Sequence, residues 1–146
     1  MKAAICKKST ILLLLIILLL LTIACNTNEW IPENVQDVPK LTNAGKIGEG
    51  STVFLFMLTD DNGDVTFWDV HTDADTVGDA LVDAGLIEGE KSSMGLMVSH
   101  VNGIRADFME DSAYWAFYVD GEFAMAGVDS TDIEEGVTYA FVYTAA

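Results

Sequence analysis

The sequence predicts an α+β fold: a two-layer, β-grasp-like domain with one amphipathic helix packed on a mixed, twisted β-sheet that contains several hairpins. Three observations carry this. Asn62-Gly63, Asn102-Gly103 and Asp120-Gly121 are dipeptides that tolerate the positive φ of tight hairpin turns, and each is flanked by β-rich residues. A single short stretch, Thr76 to Gly85, repeats its apolar residues at helical spacing. Apolar β-rich runs, Ser51–Thr59 and Val137–Thr144, open and close the folded part. The order strand, strand, helix, then several short strands fits a β-grasp-like arrangement best.

Residues 1–24 read as an export signal. Lys2, Lys7 and Lys8 make a basic start, Ile11 to Leu21 is an unbroken apolar run, and Ala24 precedes Cys25. The run is shorter than the ~20 residues of a spanning helix. Thr22-Ile23-Ala24-Cys25 resembles a bacterial lipobox, with Thr22 where lipoboxes favour Leu. That resemblance implies cleavage before Cys25 and attachment of a diacylglyceryl group to its thiol. The mature chain would then be anchored to the outer face of the cell membrane. Cys6 would leave with the signal, so no internal disulfide is expected.

In the mature chain Lys40, Lys46, Lys91 and Arg105 face all 23 acidic residues, a net charge of −19. Such a surface repels phosphate backbones and excludes nucleic acid as a partner. Residues 25–50 hold Pro32, Pro39 and polar residues with little periodicity, and read as a flexible tether. Trp30 and Ile31 interrupt its polarity. Residues 51–146 then form one domain.

Ser51–Thr59 is apolar on both sides, which places it inside a sheet. Val65–His71 is its hairpin partner. The acidic turn between them, Asp60 to Asp64, has Gly63 in the wrong place for an EF-hand loop and lacks helix flanks, so a solvated turn competes with a calcium site. His71, Asp73 and Asp75 alternate as metal ligands could, but also lead directly into a helix cap. Thr76 is the predicted N-cap, with Asp79 three residues on. Val77, Ala80, Leu81 and Ala84 form the apolar stripe, and Gly85 ends the helix. Leu86 to Ser93 is acidic and turn-like. Gly95–Val101 is a short strand, continued after Asn102-Gly103 by Ile104 and Ala106. Asp107–Ser112 crosses over to the next hairpin.

That hairpin, Tyr114 to Val128, turns at Asp120-Gly121. Alternation puts Trp115, Phe117 and Val119 on one face, and Tyr114, Ala116 and Tyr118 on the other. The first set reads as core. The second is an aromatic face with hydroxyl tips, suited to packing or to a ligand. Met125 lies close by in sequence. His100, next to the Asn102-Gly103 turn, is a second candidate contact, either for a bound metal or as an ordinary hydrogen-bonder.

Residues 51–144 resemble the transcobalamin-like C-terminal domain, found on lipoproteins of Gram-positive bacteria. The resemblance rests on Thr76-Val77-Gly78-Asp79-Ala80-Leu81, on Val101-Asn102-Gly103, on Tyr114-Trp115 with Val119-Asp120-Gly121-Glu122, and on Gly127-Val128, Ile133–Gly136 and Phe141-Val142-Tyr143. It implies a β-grasp-type ligand-binding module. In cobalamin carriers the similar domain closes over a corrin ring held by a larger helical domain, which this chain is too short to contain. Cobalamin or another corrinoid is the implied ligand, with Tyr114, Trp115, Tyr118 and His100 as candidate contacts and a permease as candidate recipient. No nucleophile motif, phosphate loop or acid–base pair argues for an enzyme. A cell-surface adhesion module without a small ligand is the rival class.

Overall fold

The computed structural model describes residues 38–146; the signal, Cys25 and Trp30 lie outside them. The described part is dominated by β-structure with one α-helix. Its strands are β1 (Leu41–Gly48), β2 (Thr52–Thr59), β3 (Val65–Thr72), β4 (Ile87–Ser92), β5 (Gly95–Val101), β6 (Ile104–Arg105), β7 (Ala113–Val119), β8 (Glu122–Phe123) and β9 (Thr138–Ala145). Helix α1 is Val77–Asp83, and a 3₁₀ turn covers Val128–Ser130. No helix among the described residues is long and apolar enough to cross a membrane.

A six-stranded sheet in the order β1-β3-β2-β9-β7-β8 forms one layer. It is mixed: β1 with β3 and β2 with β9 run parallel, the other pairs antiparallel. A three-stranded sheet, β4-β5-β6, forms a second layer together with α1. The core lies between the layers. Alternation along each strand sends Phe54, Phe56 and Leu58 of β2, Trp68 and Val70 of β3, Trp115 and Phe117 of β7, and Tyr139 and Phe141 of β9 inward. The aromatic rings meet in edge-on and tilted pairs, including Phe54 with Tyr139 at 5.2 Å and Trp115 with Tyr143 at 5.4 Å. Against this face α1 and β4–β5 bring Val77, Leu81, Ile87 and Val101.

Helix α1 begins where the sequence places it. The Asp79 amide donates to the Thr76 hydroxyl at 3.2 Å, and Gly85 follows the helix with φ of +69°. Gly78 is needed for a different reason, close approach. A Cβ there would stand 2.8 Å from the Asp129 Cα and 3.1 Å from the Val128 carbonyl carbon. The helix thus lies directly on the 3₁₀ turn.

Two hairpins turn as expected, with positive φ at both central residues, Asn102-Gly103 and Asp120-Gly121. The Asp60–Asp64 turn is longer. There one Asp60 oxygen accepts from the amides of Asn62 and Asp64, at 2.8 and 2.9 Å. The carboxylate closes the turn as an Asx motif.

Three segments differ from the sequence reading. Strand β1 occupies residues 41–48, inside the stretch assigned to the tether. Its side chains are mostly solvated, and an irregularity at Ala44 breaks its register with β3, so it carries no period-two signal. Strand β4 occupies the acidic segment read as turn-like. Only Ile87 is buried and the next five residues face solvent, which hides a strand held by backbone pairing to β5. Strand β8 is only two residues long, because the chain bends away after Phe123 toward the 3₁₀ turn.

Candidate ligand-binding site

The short β8 decides where a cleft can form. It pairs only with Tyr118 and Val119, so it leaves the β7 edge around Trp115 uncovered. Strand β5 approaches this region from the second layer. Between them lies a cleft of about 240 Å³, walled by Leu96, Met97 and Val98 of β5, Tyr114 and Trp115 of β7, Phe141 of β9 and Val128 of the 3₁₀ turn.

Its lining side chains are aliphatic or aromatic, and two buried polar atoms at or beside it lack partners among the described residues. Trp115 is 7% exposed, and its indole Nε1 is buried without a hydrogen-bond partner among the described residues. Asp129, next to Val128, holds the Leu96 amide through Oδ2 at 3.0 Å. Its Oδ1 is buried and has no partner among the described residues. Gly95 and Gly127 crowd that oxygen: a Cβ on either would come within 3.0 Å of it. Neither atom is open to the cleft, so each is an internal polar group left unpaired, at a cost of about 1–3 kcal/mol.

The cleft unites two of the four candidate contacts read from the sequence, Tyr114 and Trp115. Trp115 serves both the core and the cleft wall. Tyr114 is 40% exposed at the rim. Tyr118 shares the outward face of β7 with Tyr114 but stands four residues along, where it meets Phe123 edge-on at 5.7 Å and does not line the cleft. His100 is elsewhere again. Ser99 is an extra residue in β5, between Val98 opposite Gly89 and His100 opposite Glu88. That bulge puts Val98 and Val101 on the inner face, and turns His100 outward between Glu88 and Arg105. There its Nδ1 is 3.0 Å from the Ser99 hydroxyl. Met125 is 98% exposed and lines a separate hollow with Phe123 and Val119.

Leu96, Met97, Val128 and Asp129 carry no signal in the sequence beyond ordinary strand and loop composition. Only the tertiary approach of β5 to β7 joins them.

A larger hollow, about 530 Å³, is separate from the cleft and includes Glu49, His71, Asp73 and Asp83 in its lining. Asp75 is not part of it. Among the described residues no group of three or more His, Cys, Asp or Glu side chains is arranged to hold a metal ion. Asp73 is instead tied to the backbone amide and hydroxyl of Ser51, both at 2.9 Å. The amide bond first, and the hydroxyl second, hold its carboxyl below the usual aspartate range. A carboxyl depressed on folding contributes stability above its unfolded value and loses it as pH falls through its folded value. The parent and an Asp73→Ala variant should therefore differ in urea midpoint near neutral pH. They should converge as the pH is taken below 3.8, the ordinary value for this group.

The fold is shared with solved structures. One is a protein from Ruminococcus gnavus ATCC 29149 named for a suspected metal-binding role. It is 20% identical with a TM-score of 0.62, over 66% of this chain and 99% of that one. Another is haptocorrin in complex with Cbi, 17% identical with a TM-score of 0.52, over 70% of this chain. This chain spans 27% of haptocorrin's length. No curated protein matches the sequence. From the loop before α1 through β9, residues 74–145, the chain matches the model of a family described as a domain of unknown function, DUF4430.

Proposed function

We propose that this chain is an extracytoplasmic, lipid-anchored binding protein whose inter-sheet cleft grips one edge of a ligand, with a corrinoid as the ligand class. The observation that carries the reading is the cleft itself, where β5 crosses the β7 edge that β8 leaves uncovered beside Tyr114 and Trp115. At about 240 Å³ the cleft is smaller than the roughly 300–1,000 Å³ that encloses a whole small ligand. It therefore holds an edge or a side group, and the rest of the ligand lies across the exposed rim formed by Tyr114 and Met97.

The fold likeness to haptocorrin supports the choice of corrinoid. The parallel pairing of β2 and β9 in the interior of the sheet supports the β-grasp-like description. Cys25 is the lipid attachment residue in this reading, and a membrane permease is the recipient of the ligand. The role is capture, not catalysis.

The full chain in detergent, titrated with cobinamide, cobalamin and haem, should give a visible spectral shift and a raised melting temperature with a corrinoid. No change with any of the three would remove the binding reading. Anchoring is checked separately. A fatty-acid probe fed to cells should label the parent and not Cys25→Ser, and an unlabelled parent would contradict the anchor.

One observation favours the rival class, an adhesion module. The outer face of the large sheet carries a row formed by Phe67, Met57, Ala140, Tyr118 and Phe123, cross-strand neighbours over five strands. These side chains are half-buried or exposed, and a contiguous apolar face of this kind suits protein contact. Retained corrinoid binding after Tyr118→Lys would separate that face from the cleft.

A further inference from the structure

Strand β2 lies inside the large sheet, between β3 and β9, and is apolar on both sides. Strands of that kind belong to sheets covered on both faces, whereas a sheet with one wet face alternates apolar and polar residues. The second layer packs on the inner face, against Phe54, Phe56 and Leu58. The outer residues of β2, Leu55 and Met57, stay half-buried. Around them the outer face holds two rows of cross-strand neighbours without a charged side chain. One row is Phe67, Met57, Ala140, Tyr118 and Phe123; the other is Val65, Thr59, Val142 and Ala116. In a chain with 23 acidic residues and a net charge of −16, an uncharged band of this length marks a contact surface.

Acids frame the band along both of its long sides. Asp60, Asp61 and Asp64 lie in the turn that joins Thr59 to Val65. On the other side stand Asp69, opposite Leu55, and Asp120, whose amide donates to the Thr138 carbonyl at 2.8 Å. The lysines nearby, Lys40 and Lys46, sit only at the β1 end, beside Val65 and Asp69. The dimensions suit one helix. Five strands at about 4.8 Å spacing make the band about 19 Å long. The four residues from Thr59 to Leu55 set its acidic sides about 13 Å apart. An α-helix is about 10–12 Å across and rises 1.5 Å per residue, so about 13 residues fill the strip.

We propose that this band seats a basic amphipathic helix of a partner protein. Its apolar stripe lies on the Tyr118 row, and its Lys or Arg side chains reach the acids on both sides. A second copy of this chain fits worse, because it brings the same acids against these. An anionic bilayer surface is repelled for the same reason. The band is distinct from the cleft: of the cleft lining, Tyr114 alone shares this face, four residues from Tyr118. Helix binding here therefore holds whether or not a corrinoid binds.

The test uses the full chain in a neutral detergent at one fixed concentration, with protein-free micelles as the blank. The probes are three fluorescein-labelled 14-residue peptides. One is a Leu/Lys helix with a single apolar face, one has Glu in place of each Lys, and one is a Leu/Lys isomer reordered to have no apolar face. Anisotropy should show saturable binding of the first, at least about ten-fold tighter than either of the others. Tyr118→Lys and Phe123→Lys should each weaken it by about ten-fold or more, since each sets a like charge in the apolar row. Phe123 is 59% exposed, so its replacement leaves the core intact. Asp69→Asn combined with Asp120→Asn should weaken binding less and flatten its salt dependence. Met97→Lys, at the cleft rim, should bind the helix like the parent.

Equal binding of the reordered isomer would reduce the contact to bulk charge and overturn the proposal. So would parent-like affinity in both Tyr118→Lys and Phe123→Lys. A parent dimer in sedimentation that Tyr118→Lys dissociates would give the face to a second copy instead. The cobinamide titration is read separately, and its failure would leave a positive helix result standing.

Discussion

Trp115→Ala is expected to lower the stability of the domain by about 3–5 kcal/mol, the usual cost of deleting a large buried aromatic. Trp115 is 7% exposed and packs edge-on against Tyr143 at 5.4 Å in the sheet's inner face. Its removal leaves a hole next to Phe117 and Phe141, which are themselves packed at 5.1 Å. Tyr114→Ala should cost about 1 kcal/mol or less, because the ring is at the rim and loses little buried area. Urea midpoints at unchanged slope measure both. Trp115→Phe keeps an aromatic ring in the core and removes the buried unpaired indole nitrogen, so it should cost less than Trp115→Ala. Equal losses for Trp115→Ala and Tyr114→Ala would remove the distinction between a core residue and a rim residue.

Gly78→Val is the second large effect, at about 3 kcal/mol. The atoms a side chain would strike belong to the backbone of Val128 and Asp129, which cannot rotate aside. Helix α1 must lift from the 3₁₀ turn, or the turn must move. The consequence reaches the cleft. Asp129 holds the Leu96 amide at 3.0 Å, so a displaced turn releases the β5 wall. Hydrogen exchange should show the Leu96 amide losing protection in Gly78→Val by more than the fall in global stability explains. Unchanged protection at Leu96 would mean that the turn does not position the wall. Asp79 is also in the first turn of α1, but it faces solvent and is free of this contact. Asp79→Ala should leave the Leu96 amide alone.

The contrast between Gly78 and its neighbours shows what a sequence can disclose. Helix α1 was legible because its signals are local: a Thr76 cap, an apolar stripe and a terminal Gly85 lie within one short segment. The inner face of β7 was legible because alternation is local too, whereas β2 is apolar on both sides and disclosed only that it lies inside a sheet. Trp115 was readable as core from its place between Tyr114 and Ala116. Strands β1 and β4 were not legible, since what holds them is backbone pairing to β3 and β5, and their side chains are mostly solvated.

The site was legible only in part, for the same reason. Tyr114 and Trp115 announced themselves as aromatics beside a turn. Tyr118 shares the strand and face of Tyr114, but stands where β8 pairs, against Phe123 and away from the cleft. His100 looked in step with Leu96 and Val98, and the bulge at Ser99 turns it outward; a bulge depends on the partner strand and leaves no mark in β5 itself. Asp129 lies in the segment DSTDIEEG, a loop with no helix or strand periodicity to mark one of its acidic residues from the others. Its burial comes from Gly95 and Gly127 closing on it, which is a tertiary event.

The most direct measurement is the affinity for cobinamide of two surface-charge variants on opposite sides of the large sheet. Met97 is 64% exposed at the cleft rim, so Met97→Lys alters the rim with little effect on the core. Tyr118→Lys alters the outer face. A titration followed by the corrinoid spectrum should show Met97→Lys losing at least about ten-fold in affinity, on the scale of a disrupted apolar contact at the centre of a site. Tyr118→Lys should bind like the parent. The reverse pattern, with Met97→Lys intact and Tyr118→Lys impaired, would place recognition on the outer face and contradict the cleft.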